Sequence, residues 1–237
     1  MADVMNDGLV VRPVNPMYRR DSPFSYVCHG CSRCCHDKAI QVNPYEVARL
    51  AQNRGLSTTE LRSRYTEANG TILKRTAAGA CVFLTQQGCG VHPDRPLVCR
   101  LYPLGRRVTA EGEERFHELA PHPQTEGEYG TIGTVDAFLS RQGVQPFIEA
   151  VDRYIELVAR MAAALVAKAG GDGGARDEVC DAARGLASGD GKDIPDWLDM
   201  DQVVGRYCEQ NGLAVPAQLE QKLTLHIQAI EARLAAT

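Results

Sequence analysis

The sequence has neither a long apolar run nor a segment that resembles a secretory signal. Met1 to Pro16 contains no basic stretch followed by an extended apolar stretch, so we expect no signal peptide. The most apolar run, Val158 to Val166, is shorter than the roughly 18 residues of a membrane span and is interrupted by Arg160. We therefore predict a soluble, cytoplasmic protein with no membrane partner.

The chain is long enough, and has enough apolar residues, to fold around a hydrophobic core without disulfides. Its 237 residues can bury a substantial core. Seven of the nine cysteines nevertheless lie between positions 28 and 99. In a reducing compartment, cysteines clustered in this way indicate metal binding or redox chemistry rather than structural bridges.

Charge is distributed unevenly along the chain, although the formal net charge is only −4. Residues 18–108 hold 14 lysines and arginines against 6 acidic residues, and residues 109–237 hold 11 against 22. The basic part could bind nucleic acid, or it could offset the negative charge of metal-bound thiolates. The arginines alternate with the cysteines instead of forming one stripe, which favours the second interpretation. Nucleic acid is therefore not a predicted partner.

Capping signals and apolar periodicity predict most of the secondary structure. Asn43-Pro44-Tyr45-Glu46 is a strong helix start, and Ser57 with Glu60 repeats the design. A hairpin is predicted across residues 110–113. Apolar residues at helical spacing predict four later helices, over Val135–Gln142, Gln145–Ala169, Pro195–Gln210 and Ala217–Leu234.

These elements predict an α+β fold that is mostly helical. An irregular, cysteine-rich metal-binding core with short strands is followed by a helical C-terminal part. We expect five units: an N-terminal arm (1–20), a cysteine-cluster metal-binding domain (21–125), a helical extension packed on it (130–169), a flexible linker (170–194) and a C-terminal helical hairpin (195–237). The acidic helical part is a candidate docking surface for a protein partner.

The spacing of the cysteines indicates more than one ordinary zinc ion. Two thiolates separated as C-x2-C can hold one metal atom from a turn, and the run Cys28, Cys31, Cys34 contains this spacing twice. Cys34 and Cys35 are adjacent, and neighbouring side chains in extended backbone diverge. Seven thiolates suit either an iron–sulfur cluster with spare cysteines or two neighbouring metal ions that share ligands. His29, His36 and His92 could complete a second site.

Two alternatives to metal are weaker. A C-x-x-C thiol oxidoreductase normally opens a helix in a βαβ unit, and the sequence shows no such pattern. A cysteine nucleophile needs a base beside it, but it does not need six other cysteines.

The residues resemble the YkgJ-type cysteine-cluster family, which is described as a zinc- or iron-chelating domain. The resemblance covers about residues 22–125. It is carried by Phe24-x3-Cys28-x2-Cys31-x2-Cys34-Cys35, a helix bearing Glu46, Cys81-Val82-Phe83-Leu84, and Cys89-x2-His92-x2-Arg95-Pro96-x2-Cys99-Arg100-x-Tyr102-Pro103. His92 is a departure, since family members often carry tyrosine there.

The resemblance implies that all seven cysteines belong to the metal site: Cys28, Cys31, Cys34, Cys35, Cys81, Cys89 and Cys99. Flagellin lysine methylases share a similar pattern and are thought to hold an iron–sulfur cluster. This favours a 4Fe–4S cluster, with zinc or iron ions as the alternative.

Four further residues are candidates for ligands or supporting contacts. Arg95 and Arg100 can offset thiolate charge or donate to carbonyls of the cysteine segment. Glu46 could accept a backbone N–H beside the cysteines, pair with an arginine, ligate a metal, or simply complete the helix cap. His92 could be a ligand or a hydrogen-bond donor.

Three functions fit these observations. The first is a metal-binding protein in redox sensing, electron transfer or metal handling. The second is a cluster-dependent enzyme such as a protein lysine methylase, although no Gly-rich loop for an adenosyl cofactor is found. The third is a zinc-stabilised adaptor or assembly factor. The sequence leaves catalysis open, and Cys180 and Cys208 are predicted to be bystanders.

Overall fold

A computed structural model describes residues 17–109, 112–168 and 196–236. The helices are α1 (Pro44–Arg54), α2 (Thr58–Tyr65), α3 (Leu97–Leu101), α4 (Val135–Gln142), α5 (Gln145–Lys168), α6 (Met200–Asn211) and α7 (Leu219–Ala236). The strands are β1 (Met17–Tyr18), β2 (Pro23–Val27), β3 (Thr66–Glu67), β4 (Ile72–Leu73), β5 (Leu84–Thr85), β6 (Gly88–Cys89), β7 (Leu104–Val108), β8 (Glu114–Glu118) and β9 (Glu128–Thr134). The α+β prediction is confirmed. Within these ranges no helix combines the length and apolarity needed to cross a membrane.

The sheets are small and antiparallel. One has three strands in the order β1-β8-β7, and β2 pairs with β9, β3 with β4 and β5 with β6. The predicted hairpin is the β7–β8 pair, which runs from Leu104 opposite Glu118 to Val108 opposite Glu114. Strand β9 was not predicted, because most of its side chains are exposed and the strand lacks an apolar alternation. Its backbone bonds to β2 hold it in place.

Both predicted helix starts are capping boxes. The Asn43 side chain accepts the amide of Glu46, and the Glu46 carboxylate accepts the amide of Asn43. Ser57 and Glu60 exchange the same pair of bonds at the start of α2. The two helices differ in burial, since Glu46 is enclosed and Glu60 is exposed.

Two hydrophobic cores lie on opposite sides of α1. A larger core takes Tyr45 and Ala48 from α1 and combines them with residues of β2, α3, β7, β8 and α4–α7. A smaller core takes Val47, Leu50 and Ala51, and packs them with Leu61 and Phe83 under the cysteine segments. Helix α1 therefore connects the cysteine-bearing loops to the rest of the molecule.

The C-terminal helices are packed against this framework through a buried carboxylate. Asp199 caps α6 and accepts the hydroxyls of Thr58 (2.5 Å) and Thr59 (2.6 Å) from the start of α2. The amide of Thr58 donates in turn to Asp201 over 3.0 Å. These bonds join the beginnings of α2 and α6, so the last helices extend the core instead of standing apart from it.

Three predictions concern residues outside the described ranges. They are most of the N-terminal arm, the whole linker 170–194, and the role of Cys180. The described end of the arm, Met17–Tyr18, is strand β1. The division of the chain into five units stays a prediction.

A buried histidine makes the stability of the fold dependent on pH. His226 of α7 donates from Nε2 to the carbonyl of Trp197 (2.7 Å), so neutral Nδ1 accepts the hydroxyl of Tyr154 (2.9 Å). Burial lowers the pKa of His226 to about 4, although Trp197 and Asp199 act in the opposite direction. The unfolded chain therefore binds a proton more readily. We expect this residue to remove about 2 kcal/mol of stability between about pH 7 and pH 5.

His226→Gln separates this effect from other titrations. Glutamine can donate to the Trp197 carbonyl but does not ionise. Urea unfolding at a series of pH values should show a steeper loss of stability on acidification in the wild type than in the variant. Equal slopes would mean that His226 is not the group responsible.

Candidate metal centre

The first cysteine segment is an irregular loop that begins after β2. Gly30 and Ser32 adopt left-handed backbone, with φ of 69° and 59°, so the chain turns sharply within the C-x2-C spacing. Arg33–Cys35 then forms a 3-10 turn. Extended backbone would separate the side chains of Cys34 and Cys35, but this turn brings their thiols close enough to interact directly. The adjacent pair can therefore act together.

The second cysteine segment is attached to the first through the backbone. The amide of Cys81 donates to the carbonyl of Cys35 over 2.8 Å. Strands β5 and β6 form a tight hairpin in which Leu84 pairs with Cys89. Phe83 is buried in the smaller core, and Cys81 and Cys89 pack against that core. The hairpin thus anchors two thiols beside the first loop.

The third segment is α3, which carries Cys99. Glu46 holds its beginning, because one carboxylate oxygen accepts the amide of Leu97 over 2.7 Å while the other accepts the amide of Asn43 over 2.9 Å. Burial raises the pKa of Glu46 to about 7, against the effect of these two amides and of Arg100. Glu46 therefore ties the start of α1 to the start of α3, two residues before Cys99.

Five thiols lie near enough to influence one another's ionisation: Cys34, Cys35, Cys81, Cys89 and Cys99. Burial raises the pKa of Cys99, and the thiols of Cys81, Cys89 and Cys34 raise it further. The pKa of Cys35 is raised first by Cys34, then by burial and by Cys99 and Cys89. Half-buried sulfur donors that oppose each other's ionisation would be stabilised together as thiolates by a soft cation. The donor set therefore fits thiolate-bound zinc, iron or an iron–sulfur cluster.

Cys34 differs from the other four thiols. Its pKa is lowered, first by the interaction with Cys35 and then by Lys38 and Arg95, which together outweigh burial. Two of the cations in the basic part of the sequence thus lie beside a thiol. This agrees with the interpretation that the excess of lysine and arginine in residues 18–108 offsets the negative charge of the thiolates.

The thiols are gathered but do not surround a common point. All seven candidate ligands fall within the described residues and are free thiols. Among the described residues no three histidine, cysteine, aspartate or glutamate side chains stand in an arrangement that could hold a metal ion. Cys28 is exposed and Cys31 is half-buried. Cys28 lies beside Tyr26, whose pKa it helps to raise.

The three candidate histidines have different surroundings. His29 contacts Glu128 over 2.9 Å at an exposed position. His92 accepts Arg95 at both its ring Nδ1 (3.3 Å) and its carbonyl (2.7 Å). Burial, Arg95 and Arg100 lower the pKa of His92. The backbone of His36 pairs with Ala80 in an isolated bridge between the first two cysteine segments.

Arg100 holds backbone rather than thiols. Its guanidinium donates to the carbonyls of Arg95 (3.0 Å), Gln142 (2.7 Å) and Pro93, and it lies 4.2 Å from the ring centroid of Phe147. Burial lowers its pKa to about 10. Arg100 therefore fixes the segment before Cys99 against the end of α4 and the start of α5.

A second set of contacts, made by Arg49, also holds this segment in place. No motif or spacing in the sequence predicted these contacts. Arg49 of α1 donates to Asp94 (2.9 Å), which follows His92 by two residues, and to the hydroxyl of Tyr45 (3.1 Å). The Tyr45 hydroxyl bonds to Glu220 of α7 over 3.2 Å. This chain of contacts joins the third cysteine segment to the C-terminal helix.

Three tyrosines lie beside the first loop, Tyr26, Tyr102 and Tyr129. The sequence did not single them out as site residues, although Tyr102 lies in the cysteine motif.

The candidate site is a group of cysteine thiols that come from three segments of the chain. Residues 27–122 match the CxxCxxCC family, whose description reads "Putative zinc- or iron-chelating domain". The resemblance to the cysteine-cluster family is confirmed for these residues, and chelation of zinc or iron is the activity that the family's description names.

A curated relative, Uncharacterized protein MJ0661 of Methanocaldococcus jannaschii, is 32% identical over 89 residues. The matched part is 36% of this chain and 48% of the relative, so the chain spans about half the relative's length. No solved structure matches the chain.

Proposed function

We propose that this protein holds a polynuclear metal centre, a 4Fe–4S cluster bound by its clustered cysteines, and acts in redox sensing, electron transfer or metal handling. The observation that carries the proposal is the set of five mutually interacting thiols at Cys34, Cys35, Cys81, Cys89 and Cys99. One tetrahedral zinc ion takes about four ligands. Five neighbouring thiols, with two more in the adjoining loop, suit a cluster or a pair of ions better.

The proposed ligands are those five thiols together with Cys28 and Cys31. Glu46, Arg95, Arg100 and His92 support the segments that carry them. The matched residues 27–122 fall inside the proposed metal-binding domain 21–125. Thiols of this kind persist in a reducing compartment, which is why we place the protein in the cytoplasm.

A non-catalytic role is favoured over a methylase, because the sequence shows no Gly-rich strand-to-helix loop of the kind that would hold an adenosyl cofactor.

Anaerobic purification tests the proposal directly. Iron, acid-labile sulfide and zinc would be quantified on the same sample, with visible absorption and EPR of the dithionite-reduced protein. We expect a brown protein with about four irons and about four sulfides per chain. A colourless protein with stoichiometric zinc would overturn the cluster and leave the zinc-stabilised adaptor as the better function.

A further inference from the structure

The seven candidate thiols differ in how firmly the chain holds them. Cys81, Cys89 and Cys99 pack against the smaller core. The Cys81 amide also donates to the Cys35 carbonyl over 2.8 Å. Together with Cys34 and Cys35 these residues form the inner group, five thiols that influence one another's ionisation. The inner group is therefore fixed to the core and to the backbone of the neighbouring segment.

Cys28 and Cys31 form an outer pair that lies closer to solvent. Cys28 is exposed and Cys31 is half-buried. Gly30, between them, has left-handed backbone, with φ of 69°. Apart from its chain neighbours, no atom of the described residues lies within 4 Å of the place where a Cβ of residue 30 would stand. An incoming molecule therefore has room beside the outer pair.

A short stretch of chain connects the outer pair to the inner group. Cys31 precedes Cys34 by three residues, and the 3-10 turn Arg33–Cys35 begins between them. Burial raises the pKa of Tyr26 to about 12, and the thiols of Cys28 and Cys34 both add to this effect. Both thiols therefore lie near the Tyr26 side chain. An ion held by the outer pair would be close to the first thiol of the inner group.

We propose that the outer pair receives a zinc(II) or iron(II) ion from a small thiol donor and passes it to the inner group. The inference rests on the proposed function, because it needs the inner group to hold metal. Two thiolates with C-x2-C spacing can hold one ion, but a tetrahedral ion takes about four ligands. The donor's thiolates can therefore stay bound while the exchange begins. Within the proposed ligand set, the outer pair binds the ion in passing and the inner group keeps it.

The transfer is a series of ligand exchanges with no redox step. Cys28 and Cys31 each lose a thiol proton as their sulfurs bind the ion. Two donor thiolates leave the ion and are protonated in exchange. Thiols of the inner group then give up their protons and replace the outer pair, which is protonated again. The charge of the ion is the same at the beginning and at the end.

The double variant Cys28→Ser with Cys31→Ser tests this role in the metal-free, full-length chain. Through so short a connection, an ion on the outer pair faces Cys34 at an effective concentration of about 1 mM. Zinc offered as its glutathione complex at about 0.1 mM should therefore bind about tenfold more slowly to the variant. The zinc bound at saturation should equal that of wild type, because the inner group is intact. Elemental analysis after rapid gel filtration at a series of times measures both quantities.

Two further variants are the controls. Cys208→Ser removes a thiol that is buried in the larger core, and it should change neither the rate of uptake nor the amount of zinc bound. The double variant Cys81→Ser with Cys89→Ser removes two thiols from the inner group. It should lower the amount of zinc bound at saturation, which the loss of the outer pair should not do.

Uptake at the wild-type rate by the outer-pair variant would refute the transfer role. Less bound zinc with faster release to EDTA would also refute it, because Cys28 and Cys31 would then be permanent ligands. The proposed cluster fails by a different observation, a colourless protein with stoichiometric zinc after anaerobic purification, and the zinc uptake rates do not depend on that result. A wild-type chain that bound no metal would refute both proposals.

Discussion

Cys99→Ser is expected to lose most of the bound metal, and Cys34→Ser is expected to do the same. Serine keeps the shape of the side chain but replaces a thiolate by a poorly ionised hydroxyl, which soft metals bind weakly. Burial raises the pKa of Cys99, and Cys34 is the thiol that Lys38 and Arg95 stabilise as an anion. Since metal binding also contributes to folding, residues 24–104 should exchange amide hydrogens faster in both variants.

Metal content by elemental analysis and hydrogen exchange by mass spectrometry would be measured on the same preparations. Cys208→Ser is the matched control, because Cys208 is buried in the larger core on α6 and its thiol donates to the carbonyl of Ala214 (3.8 Å). It should retain all of the metal. Unchanged metal in both Cys34→Ser and Cys99→Ser would show that the proposed ligand set is wrong.

Local signals predicted the helices well because each start is determined by a few neighbouring residues. The capping boxes at Asn43 and Ser57 are present as the sequence indicates, and α4 has the predicted bounds. The apolar stripe of α5 likewise places Phe147, Ala150 and Leu157 in the larger core. What the spacing could not reveal is that α1 serves two cores, since this depends on which segments approach each face.

The cysteine site was predicted in composition but not in arrangement. Motif spacing singled out the thiols, because metal ligands must be of particular types at short intervals. It did not reveal that a 3-10 turn brings Cys34 and Cys35 together, or that the Cys81 amide binds the Cys35 carbonyl. It also gave no sign of Arg49 and Asp94, whose bond joins residues 45 positions apart. Such long-range pairs leave no periodic trace in a single sequence.

Opposite charges in the two halves of the chain are partly explained by contacts between them. Arg20 pairs with Asp136 over 2.8 Å, and Arg106 pairs with Asp152 over 2.7 Å. The basic excess therefore has two uses in the structure. Some cations, such as Lys38, lie beside the thiols, and others bind acidic residues of the helical part.

Glu46→Gln should weaken both the fold and the metal site, although no proposed cysteine ligand is changed. Each carboxylate oxygen of Glu46 accepts one backbone amide, from Asn43 and from Leu97. Glutamine offers one oxygen and one NH2 group, so one of the two amides must face another donor. We expect a loss of about 2 kcal/mol in the free energy of unfolding. Because Leu97 begins the helix that carries Cys99, metal release to EDTA should be about tenfold faster, equivalent to about 1.4 kcal/mol.

Glu60→Gln provides the comparison for this experiment, since Glu60 completes the same capping box on α2 but is exposed and has no bond to a cysteine segment. It should lower stability less and leave metal release at the wild-type rate. Chemical unfolding of the metal-free chains and EDTA-driven release from the loaded chains measure the two effects separately. If Glu46→Gln and Glu60→Gln released metal equally fast, Glu46 would act only as a helix cap. A faster release confined to Glu46→Gln would show that this buried carboxylate supports the metal centre, because both substitutions alter a capping box but only Glu46 accepts the amide of Leu97.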